Sequence, residues 1–227
     1  MIAVIPARSG SKGVVNKNIK KLGKYPLIAH TILFAKRFNT FSRIIVSTDS
    51  QKYADIAKSY GAEVPFLRPS SISDDHSTDY DFFYHLIKEL KLKNEHLAHL
   101  RPTTPIRDMK VVKDAINFFN NNSNASSLRS GHKAAETPFK WMMKDCNGYF
   151  RPLKEGLTSK DINNPRQSFE DVFITNGYID IVKSDHIIKN KELHGNKMIV
   201  FETPVTYQVD TKEDFDFIEY KYKLTYE

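Results

Sequence analysis

Ile2-Ala3-Val4-Ile5-Pro6-Ala7-Arg8-Ser9-Gly10-Ser11-Lys12-Gly13-Val14-Val15-Asn16-Lys17-Asn18 begins as an unbroken apolar run and turns into a loop carrying two glycines, two serines and three cations. An apolar run without alternation reads as a strand buried on both faces. A strand that breaks into a glycine-bearing loop and then leads to a helix leaves backbone amides aimed at a ligand. Gly10 and Gly13 are expected to supply positive φ and close backbone approach, and Arg8, Lys12 and Lys17 add positive charge. A polyphosphate suits such a loop, and a triphosphate suits it best. The residues match neither Gly-x-x-x-x-Gly-Lys-[Ser/Thr] nor Gly-x-Gly-x-x-Gly, and a solvated basic turn after an edge strand is the plain alternative.

Outward from this stretch, strand and helix patterns alternate. Pro26 to Lys36 has helical spacing with a proline suited to the first turn, and Arg43 to Asp49 is a second buried strand with a polar end. A helix over Gln51 to Tyr60 stops at Gly61, and a short strand is expected at Ala62 to Phe66. This is βαβ spacing, and it predicts a Rossmann-like, doubly wound, mostly parallel sheet in one domain. Ligands of such sheets lie beyond the carboxyl ends of the strands, where Arg8, Ser47-Thr48-Asp49 and Leu67-Arg68-Pro69 would gather. Asp49 is expected to cap the next helix rather than touch a ligand. Asp74, Asp75 and Asp79 precede an amphipathic helix over Tyr80 to Leu92, and helix-terminal electrostatics explains them better than a magnesium site.

Farther along, His96 to Leu100 reads as a strand feeding the proline-stiffened loop Arg101-Pro102-Thr103-Thr104-Pro105-Ile106-Arg107, and Met109 to Asn121 as a helix. Neither His96 nor His99 has metal-ligand spacing. From about Ser130 the alternation stops, and the following stretch holds Trp141, Met142 and Met143. Such exposed apolar groups need either a second subunit or a fold-back on the same chain. A strand at Met198 to Glu202 and a terminal helix from Glu213 complete the pattern.

The 227 residues suit one α/β domain, and 34 basic against 27 acidic residues give a net charge of +7. That excess suggests an anionic ligand, but the basic residues are dispersed and no nucleic-acid motif is present. Cys146 is the sole cysteine, which leaves no internal disulfide and fits a reducing cytoplasm. No segment approaches the ~20 apolar residues of a membrane span.

Ala7-Arg8-Ser9-Gly10-Ser11-Lys12-Gly13 with Asn16-Lys17-Asn18 resembles the signature loop of the cytidylyltransferases that make CMP-sialic acid and related CMP-nonulosonates. Phe66-Leu67-Arg68-Pro69, the loop at Arg101, Pro165-Arg166-Gln167, Asn176-Gly177 and the segment around Asp210 extend the likeness over nearly the whole chain. The resemblance implies a nucleotide-diphospho-sugar transferase type of sheet, with residues 130–165 as an arm that packs against a second subunit in a homodimer. It implies CTP and an acidic sugar as substrates and Mg2+ as cofactor. Nucleotide contacts would come from Ala7, Arg8, Ser9, Gly10, Ser11, Lys12, Asn18 and Arg68, with Lys17, Arg8 and Lys12 stabilising charge during transfer. Arg101, Thr103, Arg166 and Asn176 would meet the sugar, and Asp210 would support the metal, unless Asp210 instead caps the terminal helix.

Four positions depart from the pattern. Arg101 stands where glutamine is usual, Ile174 replaces a second arginine, Asp180 an aromatic residue, and Gln208 the first of two aspartates. One account is compensation, with Arg101 supplying the charge that Ile174 lacks. The other is a different acceptor, such as a sugar 1-phosphate or a different acid.

Overall fold

The computed structural model describes residues 1–226. Strand β1 (Ile2–Pro6) leads through the cationic loop and the 3-10 turn Lys17–Ile19 to a small antiparallel pair, β2 (Lys21–Leu22) and β3 (Tyr25–Pro26). Helix α1 (Leu27–Lys36), strand β4 (Arg43–Ser47), helix α2 (Gln51–Ser59), helix α3 (Asp79–Glu89), strand β5 (His96–His99) and helix α4 (Met109–Asn121) follow. Strand β6 (Ser127–Lys133) then enters the sheet, and a second antiparallel pair, β7 (Met142–Lys144) and β8 (Phe150–Pro152), lies outside it. The chain returns through β9 (Phe173–Lys183), α5 (Ser184–Asn190), β10 (Met198–Glu202) and α6 (Lys212–Tyr226).

The central sheet has six strands in the order β10-β6-β9-β5-β1-β4. Only β9 runs against its neighbours. The apolar run of β1 is continuous because both of its faces are covered. Ala3 and Ile5 pack with residues of α1, α2 and α4 on one side, while Ile2 and Val4 pack with Phe82, Phe83 and Leu86 of α3 and Ile187 of α5 on the other. Eight of the ten α1 residues are buried, so that helix belongs to the interior.

Helix boundaries follow local capping chemistry. Ser50 Oγ accepts from the Tyr53 amide to start α2, and Thr78 with Asp81 forms a capping box on α3. Thr211 and Asp214 cap α6, since the Asp214 amide donates to Thr211 Oγ1 and the Thr211 amide donates to Asp214 Oδ2. Asp49 is therefore not a cap, and Asp210 contributes to this one only its backbone N–H, which donates to Asp214.

The expected strand at Ala62 to Phe66 is reduced to a single parallel bridge from Glu63 to Ile45. Both β6 and β9 escape a hydropathy reading because polar side chains occupy their buried positions. Ser130 Oγ donates to Asn176 Oδ1 at 2.8 Å across these strands, where the register shifts between Arg129 and Gly131. Residues 127–133 thus belong to the sheet, and the chain leaves it after Lys133. The segment between β6 and β9, expected as an arm, folds partly on itself, with the rings of Phe139 and Phe169 stacked at 5.6 Å. Its outer tip shows Tyr149 at 73% and Phe150 at 74% exposure.

Burial pushes His30, His96, His99 and His194 below the ordinary 6.5, His99 furthest because it is fully enclosed. The unfolded chain protonates these rings below about pH 6.5 while the folded chain resists, so stability should fall as pH drops through that value. Urea midpoints measured between pH 8 and pH 5 check this, and replacing His99 with Gln should flatten the profile.

Candidate active site

A cleft of about 380 Å³ opens at the carboxyl ends of β1 and β5, with the cationic loop on one side and the segment before α6 on the other. Arg8, Ser11, Lys12, Lys17, Asn18 and Arg68 line it together with Arg101, Thr103 and Asp210. Residues from near both ends of the chain, Arg8 and Asp210, therefore face one cleft, as expected where neighbouring parallel strands diverge to opposite sides.

The loop is held from within. The Ala7 amide donates to Ser47 O at 2.9 Å and extends the β1 pairing, so Ala7 is buried away from the cleft. The Ser9 amide and hydroxyl both donate to Asp49, at 2.8 and 2.7 Å, so Asp49 anchors the loop and Ser9 is occupied by that contact. Asn18 Nδ2 donates to Arg8 O at 3.0 Å. Neither Gly10 nor Gly13 has positive φ; the left-handed residue is Asn16, at φ 53°. Gly13 is required for another reason, because a Cβ there would lie 2.0 Å from the backbone oxygen of Asp210. Gly10 faces no such constraint and does not line the cleft.

Lys17 Nζ donates to Val209 O at 2.7 Å and pairs with Asp210 Oδ1 at 3.2 Å. Asp75 pairs with both Arg8, at 2.6 Å, and Lys12. Arg68 Nε and Nη2 donate to Ser47 Oγ and O at 3.0 and 2.7 Å, and its guanidinium lies 4.9 Å from the centre of the Phe82 ring. Burial lowers the Arg68 pKa to about 10, so it stays charged at neutral pH.

Arg101 reaches the cleft with its charge already matched. Its guanidinium donates to Asp180 Oδ2 at 2.7 Å and Asp79 Oδ2 at 2.6 Å, and Asp180 is completely buried. The compensation expected of Arg101 is thereby corrected: two carboxylates hold it, leaving no uncompensated charge for an acidic acceptor. The departures at 101 and 180 are two halves of one ion pair. Sequence reading treated them separately, although opposite charges at two departing positions were the available signal.

Two further residues do not reach this cleft. Arg166 Nη2 donates to Ala134 O at 2.5 Å and lines a separate hollow of about 280 Å³ at the base of the arm, beside Lys133 and Thr137. Asn176 is buried, its amide nitrogen donating to Thr203 Oγ1 at 2.9 Å and its oxygen accepting from Ser130 Oγ, which makes it a tie between β9 and its surroundings. Arg107, given no role in the sequence reading, is buried and donates to the backbone oxygens of Tyr178, Arg101 and Gly177. It props the Arg101 loop against β9, and burial lowers its pKa to about 9.

A sequence profile described as cytidylyltransferase matches residues 2–218. The chain belongs to that family. Among curated relatives, it is 30% identical to the CMP-N,N'-diacetyllegionaminic acid synthase of Legionella pneumophila, covering 100% of this chain and 98% of that protein. It is 29% identical to the N-acylneuraminate cytidylyltransferase of Escherichia coli O18:K1:H7, over 96% of this chain but only half of that longer protein. A solved CMP:2-keto-3-deoxy-manno-octonic acid synthetase complexed with CTP superposes with a TM-score of 0.73 at 16% identity, covering 98% of each chain, a likeness of fold. The cytidylyltransferase is thus a nucleotidyltransferase built on an α/β sheet.

Two substitutions probe this site. Gly13→Ala should cost about 1–3 kcal/mol through forced separation of the loop from Asp210, while Gly10→Ala should be near neutral, as read from urea midpoints. Arg101→Gln strands the Asp180 carboxylate in the interior and should cost about 3–5 kcal/mol, with Arg101→Gln/Asp180→Asn recovering most of the loss.

Proposed function

We propose that this cytidylyltransferase couples CMP, drawn from CTP, to an acidic nine-carbon sugar of the sialic, legionaminic or pseudaminic acid type and releases pyrophosphate. The observation that carries the reading is the convergence of Arg8, Lys12 and Lys17 with Asn18 and Arg68 on one cleft at the strand ends. The named activities of the full-length Legionella relative support the substrate class.

In the transfer, a sugar hydroxyl oxygen forms a bond to the α-phosphorus and gives up its proton to solvent, while the bond from that phosphorus to the bridging oxygen breaks and pyrophosphate leaves with the electron pair. Such chemistry depends chiefly on positioning and on neutralising charge. Arg8, Lys12 and the Ser11 side of the loop hold the outer phosphates. Lys17, fixed by Val209 O, stabilises charge at the α-phosphate. Arg68 and Asn18, which line the same cleft, would read the base. Thr103, in the loop after β5, lines the cleft and would meet the acceptor sugar.

The donor set at the cleft fits magnesium carried by the nucleotide. Asp210 offers a carboxylate that is 72% exposed, and a magnesium ion commonly binds through one or two carboxylates plus substrate phosphates. No cluster of three or more acidic, histidine or cysteine ligands occurs among the described residues. Magnesium would neutralise charge on the triphosphate when bound. The exposed aromatics of the arm tip support a homodimer. A cytoplasmic site of action accords with the single cysteine, and no described helix is long and apolar enough to cross a membrane.

A matrix of nucleoside triphosphates against acidic and phosphorylated sugars, read as pyrophosphate, tests the reading. CTP with a nonulosonate should give the highest turnover; a preference for a sugar 1-phosphate or another nucleotide would overturn it. Lys17→Ala should lower kcat by about 100-fold or more, and normal turnover would remove Lys17 from its role.

A further inference from the structure

Asp75 lies between the 3-10 turn Ser70–Ile72 and α3, and its side chain is 30% exposed. Its two oxygens each take a different cation of the loop: Oδ1 pairs with Arg8 Nη2 at 2.6 Å, and Oδ2 pairs with Lys12 Nζ. The carboxylate is delivered by a built turn. Asp74 Oδ1 accepts from the His76 amide at 2.9 Å, the Ser77 amide at 2.8 Å and Ser77 Oγ at 2.7 Å, and Thr78 then starts α3. Hydrogen bonds from Lys12 first and Arg8 next hold the Asp75 carboxyl below the usual carboxylate range, so it is ionised at neutral pH.

We propose that Asp75 is an internal competitor of the outer phosphates, taking Arg8 and Lys12 back as pyrophosphate departs and so promoting product release. The inference rests on the reading of the loop as a triphosphate site. Any ligand that uses both cations must displace Asp75, which weakens CTP and pyrophosphate by a similar factor. CTP keeps its base and sugar contacts and remains bound, whereas pyrophosphate has no other hold once the bond to the α-phosphorus is broken. A nucleoside monophosphate, which does not reach the two cations, is indifferent to Asp75. The partly exposed Asp75 carboxylate can turn away into solvent without leaving a buried charge behind.

Titration calorimetry of the full chain and its Asp75→Asn variant with pyrophosphate, CTP and CMP decides the matter. With two partly exposed ion pairs removed, pyrophosphate and CTP should bind the variant about fivefold more tightly, while CMP changes by less than about twofold. Product inhibition by pyrophosphate should set in at correspondingly lower concentration. Asp75→Ser, which also shortens the side chain, should give the same ranking. Equal or weaker pyrophosphate binding by both variants, with normal CTP binding by the unaltered chain, would overturn the role of Asp75 alone. Failure of the unaltered chain to bind CTP or pyrophosphate would overturn the triphosphate reading, and the role of Asp75 with it.

Discussion

The cleft depends on one close approach, that of the Gly13 backbone to the carbonyl of Asp210. A side chain at position 13 would place its Cβ 2.0 Å from that oxygen, so the N-terminal loop meets the segment before α6 only because position 13 has none. The contact is reinforced through the neighbouring residue. Val209 O accepts from Lys17 Nζ, and the Val209 amide donates to Thr103 O at 2.9 Å. One residue thus joins three stretches of chain that converge on the cleft. Beneath them Val14, Leu22, Leu27, Val209, Phe215 and Ile218 form a small apolar cluster that fixes the distance between loop and helix.

Charge in the cleft is arranged in matched sets. Arg8 and Lys12 share Asp75, Lys17 meets Asp210, and Arg101 lies between Asp79 and Asp180. These sets differ in burial, which decides what a ligand can do to them. Asp75 and Asp210 are solvent-accessible, so separating them from their cations carries little desolvation cost. Asp180 is enclosed, and separating it from Arg101 would leave an uncompensated charge in the interior, so that pair behaves as scaffold. The loop cations are thus paired at the surface, whereas Arg101 is tied to a buried carboxylate.

Much of the architecture was legible because it rests on short-range rules. The apolar run of β1, the polar ends of β1 and β4, the helix over Met109 to Asn121 and the strand at Met198 to Glu202 follow from periodicity and local propensity, and each lies where the pattern places it. The membership of β6 and β9 in the sheet was hidden, since Ser130, Asn176 and Asp180 are polar residues whose burial is stabilised only by partners on other strands or loops. Among the expected site residues, Arg8, Ser11, Lys12, Lys17, Asn18, Arg68, Arg101, Thr103 and Asp210 converge on one cleft; Ala7, Ser9, Gly10, Arg166 and Asn176 do not line it.

By itself, the sequence determined the wound sheet, the cationic loop at the carboxyl end of its first strand and the membership in a nucleotide-handling family, because periodicity, turn chemistry and motif spacing act over a few residues. Only the tertiary structure decided which cations remain exchangeable, why position 13 must be glycine, and that Arg101 and Asp180 neutralise each other. Those properties are set by distances between residues remote in the chain and by how far water is kept from them, quantities that no local pattern encodes.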